Sequence, residues 1–157
     1  MKIALLTVGK TTDIYLIKLQ EEYQNRLKFY IPYESMVIPE LKNTKNLSIP
    51  GQLEKEADLI LKQLEANDEV ILLDEKGKQY TSVGFSEFIS KKMQASGKRM
   101  IFVVGGPYGF SERVYNRANG KISLSSMTFS HQMIRLIFVE QLYRAMTILK
   151  GEPYHHE

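Results

Sequence analysis

A chain of 157 residues, 43% apolar and 25% charged, has the length for a single domain with a sizeable core and the composition of an ordinary globular protein. The absence of cysteine excludes thiolate metal sites, thiol nucleophiles and disulfides, and no apolar run approaches the roughly 20 residues of a membrane helix. A net charge of +3 permits contact with RNA but is too small and too dispersed to name a partner, and the expectation is a cytoplasmic protein.

Residues 2–9 (KIALLTVG) are a continuous apolar run closed by glycine, the pattern of a central strand covered on both faces. Thr11 or Thr12 can cap the helix that follows. In it Ile14, Ile17, Leu19, Tyr23, Leu27 and Tyr30 recur at near-helical spacing, while Lys18, Glu21, Glu22 and Arg26 face water. Residues 33–40 read as a second strand and 41–51 as a polar loop rich in Asn and Lys. A second helix spans 50–66, with Pro50 suited to its first turn. A third strand, 69–74, ends in a turn at Asp74-Glu75-Lys76-Gly77, and Phe85, Phe88, Ile89 and Met93 mark a third helix closed by Gly97. Residues 100–104 form a buried strand that breaks at Gly105-Gly106-Pro107. A shorter strand, 121–124, runs into Ser125-Ser126-Met127-Thr128-Phe129. The last helix, 130–150, stops at Gly151 before Pro153. This alternation predicts an α/β fold, a parallel sheet with helices on both faces.

Ligands of open α/β sheets sit where loops leave the carboxyl ends of strands, so the loops after residues 104 and 124 are the candidate site. The first has no Lys-Ser or Lys-Thr pair and lacks the spaced glycines of the dinucleotide fingerprint, which disfavours phosphate cradling. Its double glycine allows close main-chain approach to a flat ligand such as adenine, or is simply a tight turn with positive φ angles. Leu73 at a strand end can cover an adenine or ribose, or close the core. Ser125, Ser126 and Thr128 offer hydroxyls to a ligand, or are the content of a polar loop. His131 and Arg135 lie one helical turn apart and can approach an RNA phosphate or base, while helix-end capping is the other reading of His131. Glu140 and Arg144, spaced i,i+4, fit a helix-surface ion pair. Apolar residues nearly encircle the last helix, so a second copy covers one side or the helix is buried within one chain. By composition the tail 152–157 is a solvated end, although Pro153 stiffens it, Tyr154 can stack on a base and His155 titrates near neutrality.

Gly105-Gly106-x-x-Gly109, Ser123-Leu124-Ser125-x-Met127-Thr128-Phe129-x-His131, Arg135, Glu140-Gln141-x-Tyr143-Arg144-Ala145 and Pro153-Tyr154-His155 occur in that order. With them the chain resembles, over its whole length, the RlmH family of SPOUT-class methyltransferases, which act on a pseudouridine in 23S ribosomal RNA. The resemblance implies a SPOUT-type α/β fold, a parallel five-stranded sheet flanked by helices with a C-terminal trefoil knot, in one domain over residues 1–157. It also implies a homodimer that holds S-adenosylmethionine between the knot loops and needs no metal and no membrane. Cofactor contacts then fall at Leu73, Gly105, Leu124, Ser125, Ser126, Met127, Thr128 and Phe129, catalytic roles at Tyr154, His155 and Arg135, and RNA contacts at His131 and Arg144.

The implied reaction is methyl transfer to N3 of the pseudouridine on the assembled ribosome. His155 takes or shares the imide proton, Tyr154 orients the base, and Arg135 or Arg144 contacts phosphate or the developing anion. Relatives often carry Arg or Lys at the position of His156, so the expectation rests on His155; Pro107 and Tyr108 receive no role. The rivals are a SPOUT enzyme acting on transfer RNA, a non-catalytic RNA-binding module, and a nucleotide-binding oxidoreductase that the missing glycine fingerprint counts against.

Overall fold

The computed structural model describes residues 1–95, 97 and 99–156. Among these residues five strands run parallel in one sheet, β1 (Lys2–Val8), β2 (Tyr33–Ile38), β3 (Glu69–Gln79), β4 (Arg99–Val104) and β5 (Gly120–Ser123), in the order β2-β1-β4-β3-β5. The helices are α1 (Ile14–Leu27), α2 (Ile49–Gln63), α3 (Ser82–Ala95), α4 (Glu112–Arg117) and α5 (Met133–Leu149). The alternation along β1 explains why both faces need cover. Ile3 and Leu5 join Phe85, Ile89, Phe102, Phe138 and Leu142 in one core, while Ala4 and Leu6 join Ala57, Ile60, Val103 and Val114 in the other. On the first face α5 packs against α1 and α3, with the Phe138 ring 4.7 Å from that of Phe102 on the central strand.

Four sequence expectations need correction. Asp13, not Thr11 or Thr12, caps α1, its carboxylate accepting the amides of Tyr15 and Leu16; Thr11 and Thr12 instead bond groups of α1 and of the α5 entry. Ile14 and Leu19, expected on the core stripe of that helix, are 54% and 42% exposed. The bend at Asp74–Gly77 is a bulge inside β3: Ile122 pairs with both Leu73 and Lys78, and the strand continues to Gln79. Glycine is required there because a Cβ on Gly77 would lie 2.6 Å from the main chain of Ile122. Finally, α4 was not foreseen, since its six residues are too few to show a period.

Candidate active site

The carboxyl ends of β3, β4 and β5 open into a cleft of about 420 Å³. Its walls include Leu73, Asp74, Gly105, Gly106, Leu124, Ser125, Met127, Thr128, Phe129 and His131. Ser126 lies outside this lining, exposed, with its hydroxyl accepting from the Gln79 side-chain amide at 2.8 Å. The loop after β5 is self-bracing: the Ser123 hydroxyl donates to the carbonyl of Ser125 at 2.8 Å, and the Ser125 hydroxyl accepts the Met127 amide at 3.0 Å. Met127 is thereby held out at 78% exposure.

Of the glycines after β4, Gly109 is the one with positive φ, +82°, and its amide reaches the carbonyl of Gly106 at 3.2 Å. Gly105 and Gly106 are glycine for a different reason, crowding. A Cβ on Gly105 would meet the Phe110 ring at 2.9 Å, and one on Gly106 would meet Oε2 of Glu56 at 2.7 Å. Glu56 of α2 accepts the Gly106 amide at 3.0 Å and is 9% exposed. Burial pushes its carboxyl above the usual carboxylate range, against the opposing pull of the Gly106 amide and of His131. Sequence reading missed this residue, although a signal existed: Glu56 falls on the apolar stripe of Leu53, Ala57, Ile60 and Leu64. It also missed Tyr115, whose hydroxyl bonds Asp74 on the cleft wall; burial and that bond push its phenol up to about 12.

His131 is exposed in the turn before α5 and borders the cleft. It does not cap the helix, since the Ser130 hydroxyl accepts the Met133 amide at 3.1 Å. Arg135 does not share an outward face with it. The residue is 3% exposed, and its guanidinium donates to the carbonyls of His131 (2.8 Å), Gly9 (2.8 Å) and Val8 (3.0 Å) and to the hydroxyl of Thr11 (3.2 Å). Burial lowers its pKa, partly offset by Glu40. All three nitrogens are committed to the protein, so the expected phosphate or anion contact is corrected to a clamp joining the end of β1 to the start of α5.

Within the tail Tyr154 and His155 are half-buried, while Glu152, Pro153 and His156 are exposed. Tyr30 donates to Glu152 at 2.6 Å, Tyr154 donates to Glu140 Oε1 at 2.9 Å, and the ring of Tyr154 meets that of Tyr143 edge-on at 4.8 Å. Burial and bonds to Tyr23 and Glu140 raise the Tyr154 phenol well above its ordinary value. The Glu140–Arg144 pair expected on the helix surface is present at 2.6 Å, three-quarters buried, and Arg144 also donates to His155 Nδ1 at 3.1 Å. A guanidinium can only donate, so in this bond Nδ1 is the acceptor. The structure thus brings Tyr154, His155 and Arg144 together, but not beside the cleft of their own chain. Arg144 is ten residues beyond the cleft-lining Ile134, about 15 Å along a helix axis.

Fold and cleft define an α/β protein with an open cleft at the carboxyl ends of parallel strands, where ligands of such sheets sit, walled in part by glycine main chain. The chain belongs to the SPOUT methyltransferase family: the family model described as predicted SPOUT methyltransferase matches residues 1–155. It is 62% identical over 157 residues to a protein of Parabacteroides distasonis named ribosomal RNA large subunit methyltransferase H, covering 100% of both chains. It is 57% identical over 157 residues to one of Flavobacterium johnsoniae with the same name, again covering 100% of both. A solved structure of a probable methylase family protein from Haemophilus influenzae aligns at TM-score 0.49 and 10% identity, over 99% of this chain and 70% of that one. Among the described residues no helix is long and apolar enough to cross a membrane.

Proposed function

We propose that this chain is a cytoplasmic, S-adenosylmethionine-dependent methyltransferase that methylates N3 of a pseudouridine in 23S ribosomal RNA, on the assembled ribosome. The observation that carries the reading is the pairing of two glycine- and serine-bearing loops around one cleft in a chain 62% identical, end to end, to a named large-subunit rRNA methyltransferase. The cleft residues fit the donor. A volume of about 420 Å³ is within the range of small-molecule sites, Leu73 and Leu124 supply apolar surface for a purine, and the main chain of Gly105 and Gly106 supplies polar edges. When bound, the donor supplies a methyl group made electrophilic by its sulfonium.

The chain's own residues have three tasks: hold the donor, orient the base, and favour the imide anion. The loops 105–109 and 124–129 serve the first, each braced as described above. Tyr154 stacks on or orients the base. His155, held by Arg144 through Nδ1, sits beside the reacting nitrogen of the base, and Glu140 in turn fixes Arg144. The imide proton leaves as the anion forms, taken or shared by His155. His131 contacts RNA at the cleft rim.

Since the tail and cleft of one chain are apart, the working site is composite, with the tail of one copy reaching the cleft of another. A homodimer through α1 and α5 is supported by exposed apolar side chains on these neighbouring helices, Ile14 at 54%, Tyr15 at 75%, Leu19 at 42% and Met133 at 39%. The trefoil knot belongs to the same proposal. The segment 124–132 crosses from the edge strand β5 to the loop after β1, where Gln132 bonds the Lys10 carbonyl and the Thr12 amide.

The test is mass spectrometry of rRNA from ribosomes lacking the modification, after incubation with the purified chain and methyl-labelled donor. One added methyl on one pseudouridine of the large-subunit RNA is the expected result; label in transfer RNA alone, or nowhere, overturns it.

A further inference from the structure

The helices on the second face of the sheet contribute no residue to the reaction as read above, yet one of them touches the donor loop with a charged group. Glu56 of α2 sits in an apolar stripe, is 9% exposed, accepts the Gly106 amide at 3.0 Å, and occupies with Oε2 the space that a Gly106 Cβ would take, 2.7 Å away. A buried carboxyl in an apolar layer is costly unless it is hydrogen-bonded, and here the bond comes from a cleft-lining glycine 50 residues along the chain. His131, on the cleft rim, acts on the same carboxyl electrostatically.

From this geometry we infer that Glu56 is a positioning residue for the methyl donor: it fixes the Gly105-Gly106 turn from behind and sets the main-chain edge that the donor meets. The inference rests on the donor reading of the cleft and adds to it a determinant of donor affinity outside the cleft itself. The Gly106 amide points at Glu56, so it is not available to the ligand. What the bond provides is the orientation of the rest of the turn, including the Gly105 and Gly106 carbonyls and the aromatic wall of Phe110, against which Gly105 is packed. The absence of a side chain at Gly106 is part of the same device, because any larger residue would push the carboxylate off its bond.

The experiment is calorimetric titration of S-adenosylmethionine into the full-length chain and its Glu56→Ala, Glu56→Gln, Gly106→Ala and Glu56→Ala/Gly106→Ala variants, with thermal melts and steady-state kinetics alongside. Glu56→Ala should weaken donor binding roughly tenfold and raise the donor KM more than it lowers kcat at saturating donor. Glu56→Gln keeps an oxygen that accepts the Gly106 amide and should bind within about twofold of wild type. Gly106→Ala should weaken binding in the wild-type background and add little once Glu56 is truncated, because the clash is then gone. Equal donor binding by wild type and Glu56→Ala, or a Gln variant as weak as the Ala variant, overturns the positioning role while leaving the donor site intact. Failure of the wild-type chain to bind the donor overturns the reading of the cleft itself, and this inference with it. Should Glu56→Ala fail to melt cooperatively, Gly106→Ala decides: weakened donor binding with an unchanged melting temperature supports the role, and unchanged binding refutes it.

Discussion

Helix α5 carries one arginine in its first turn and another in its second half, and they are opposites. Arg135 at the start of the helix is 3% exposed and gives its hydrogen bonds to main-chain carbonyls and a threonine hydroxyl. Arg144, two and a half turns on, retains 24% side-chain exposure and bonds only side chains, Glu140 and His155, beneath the ring of Tyr154 at 4.7 Å. Carbonyls at a strand end do not titrate or move, so the first arginine makes a joint. Side-chain partners can be exchanged for substrate groups at modest cost, so the second sits in a site. What an arginine is bonded to, and not its place in a motif, separates structure from chemistry here.

The contrast breaks most visibly at the tail. Removing residues 154–157 should lower rRNA methylation by about 10²-fold or more, the scale of a lost acid–base or oxyanion group, while donor binding to the cleft stays unchanged; single-turnover rates and calorimetry read the two separately. Next in size, Arg135→Ala should cost about 3 kcal/mol in denaturant unfolding because it strips buried carbonyls of their donors, and Arg135→Lys should recover little of it because an ammonium cannot span that fork. Arg144→Ala should cost about 1–2 kcal/mol in the same experiment, less than Arg135→Ala, and still reduce methylation roughly tenfold or more.

A third arginine sharpens the comparison through pH. Arg99 grips Asp68 at 3.0 and 2.5 Å, and although burial pushes the Asp68 carboxyl up, Arg99 and the Glu65 amide hold it below its ordinary value. A carboxyl depressed in the folded state stabilises fully above its unfolded pKa of about 3.9 and loses that contribution as pH falls through the folded value. Melting temperature should therefore drop in acid below about pH 4, and Asp68→Asn should be less stable by about 2 kcal/mol at neutral pH with a shallower acid limb. The Arg135 clamp, hydrogen-bonded to groups that do not titrate, should contribute less to that limb, through Glu40 alone. The smallest effect belongs to Ser126→Ala, expected to change stability by less than about 0.5 kcal/mol and donor affinity by less than about twofold, since its hydroxyl faces Gln79 and not the cleft.

Strands and long helices were legible because burial on both faces writes continuous apolar runs and a 3.6-residue period into the chain, and the two loops at the carboxyl ends followed from strand polarity alone. Features set by distant partners were not legible. No local pattern reveals that Gly77 passes over Ile122, that Glu56 is drawn to Gly106, or that Tyr30 and Glu152 meet across 122 residues of sequence. The tail illustrates the point: Tyr154 looks solvated until Tyr23, Tyr143 and Glu140 are known to be waiting for it.

Complementation between copies tests most directly whether catalysis needs one chain's cleft and another's tail. A chain lacking residues 154–157 but with an intact cleft is mixed with a full-length Gly105→Ala chain, whose cleft wall is disturbed because the added Cβ meets Phe110 at 2.9 Å. The account predicts that each alone leaves rRNA unmethylated and that the mixture restores methylation. Mixed dimers seen by native mass spectrometry without any recovered activity would contradict it.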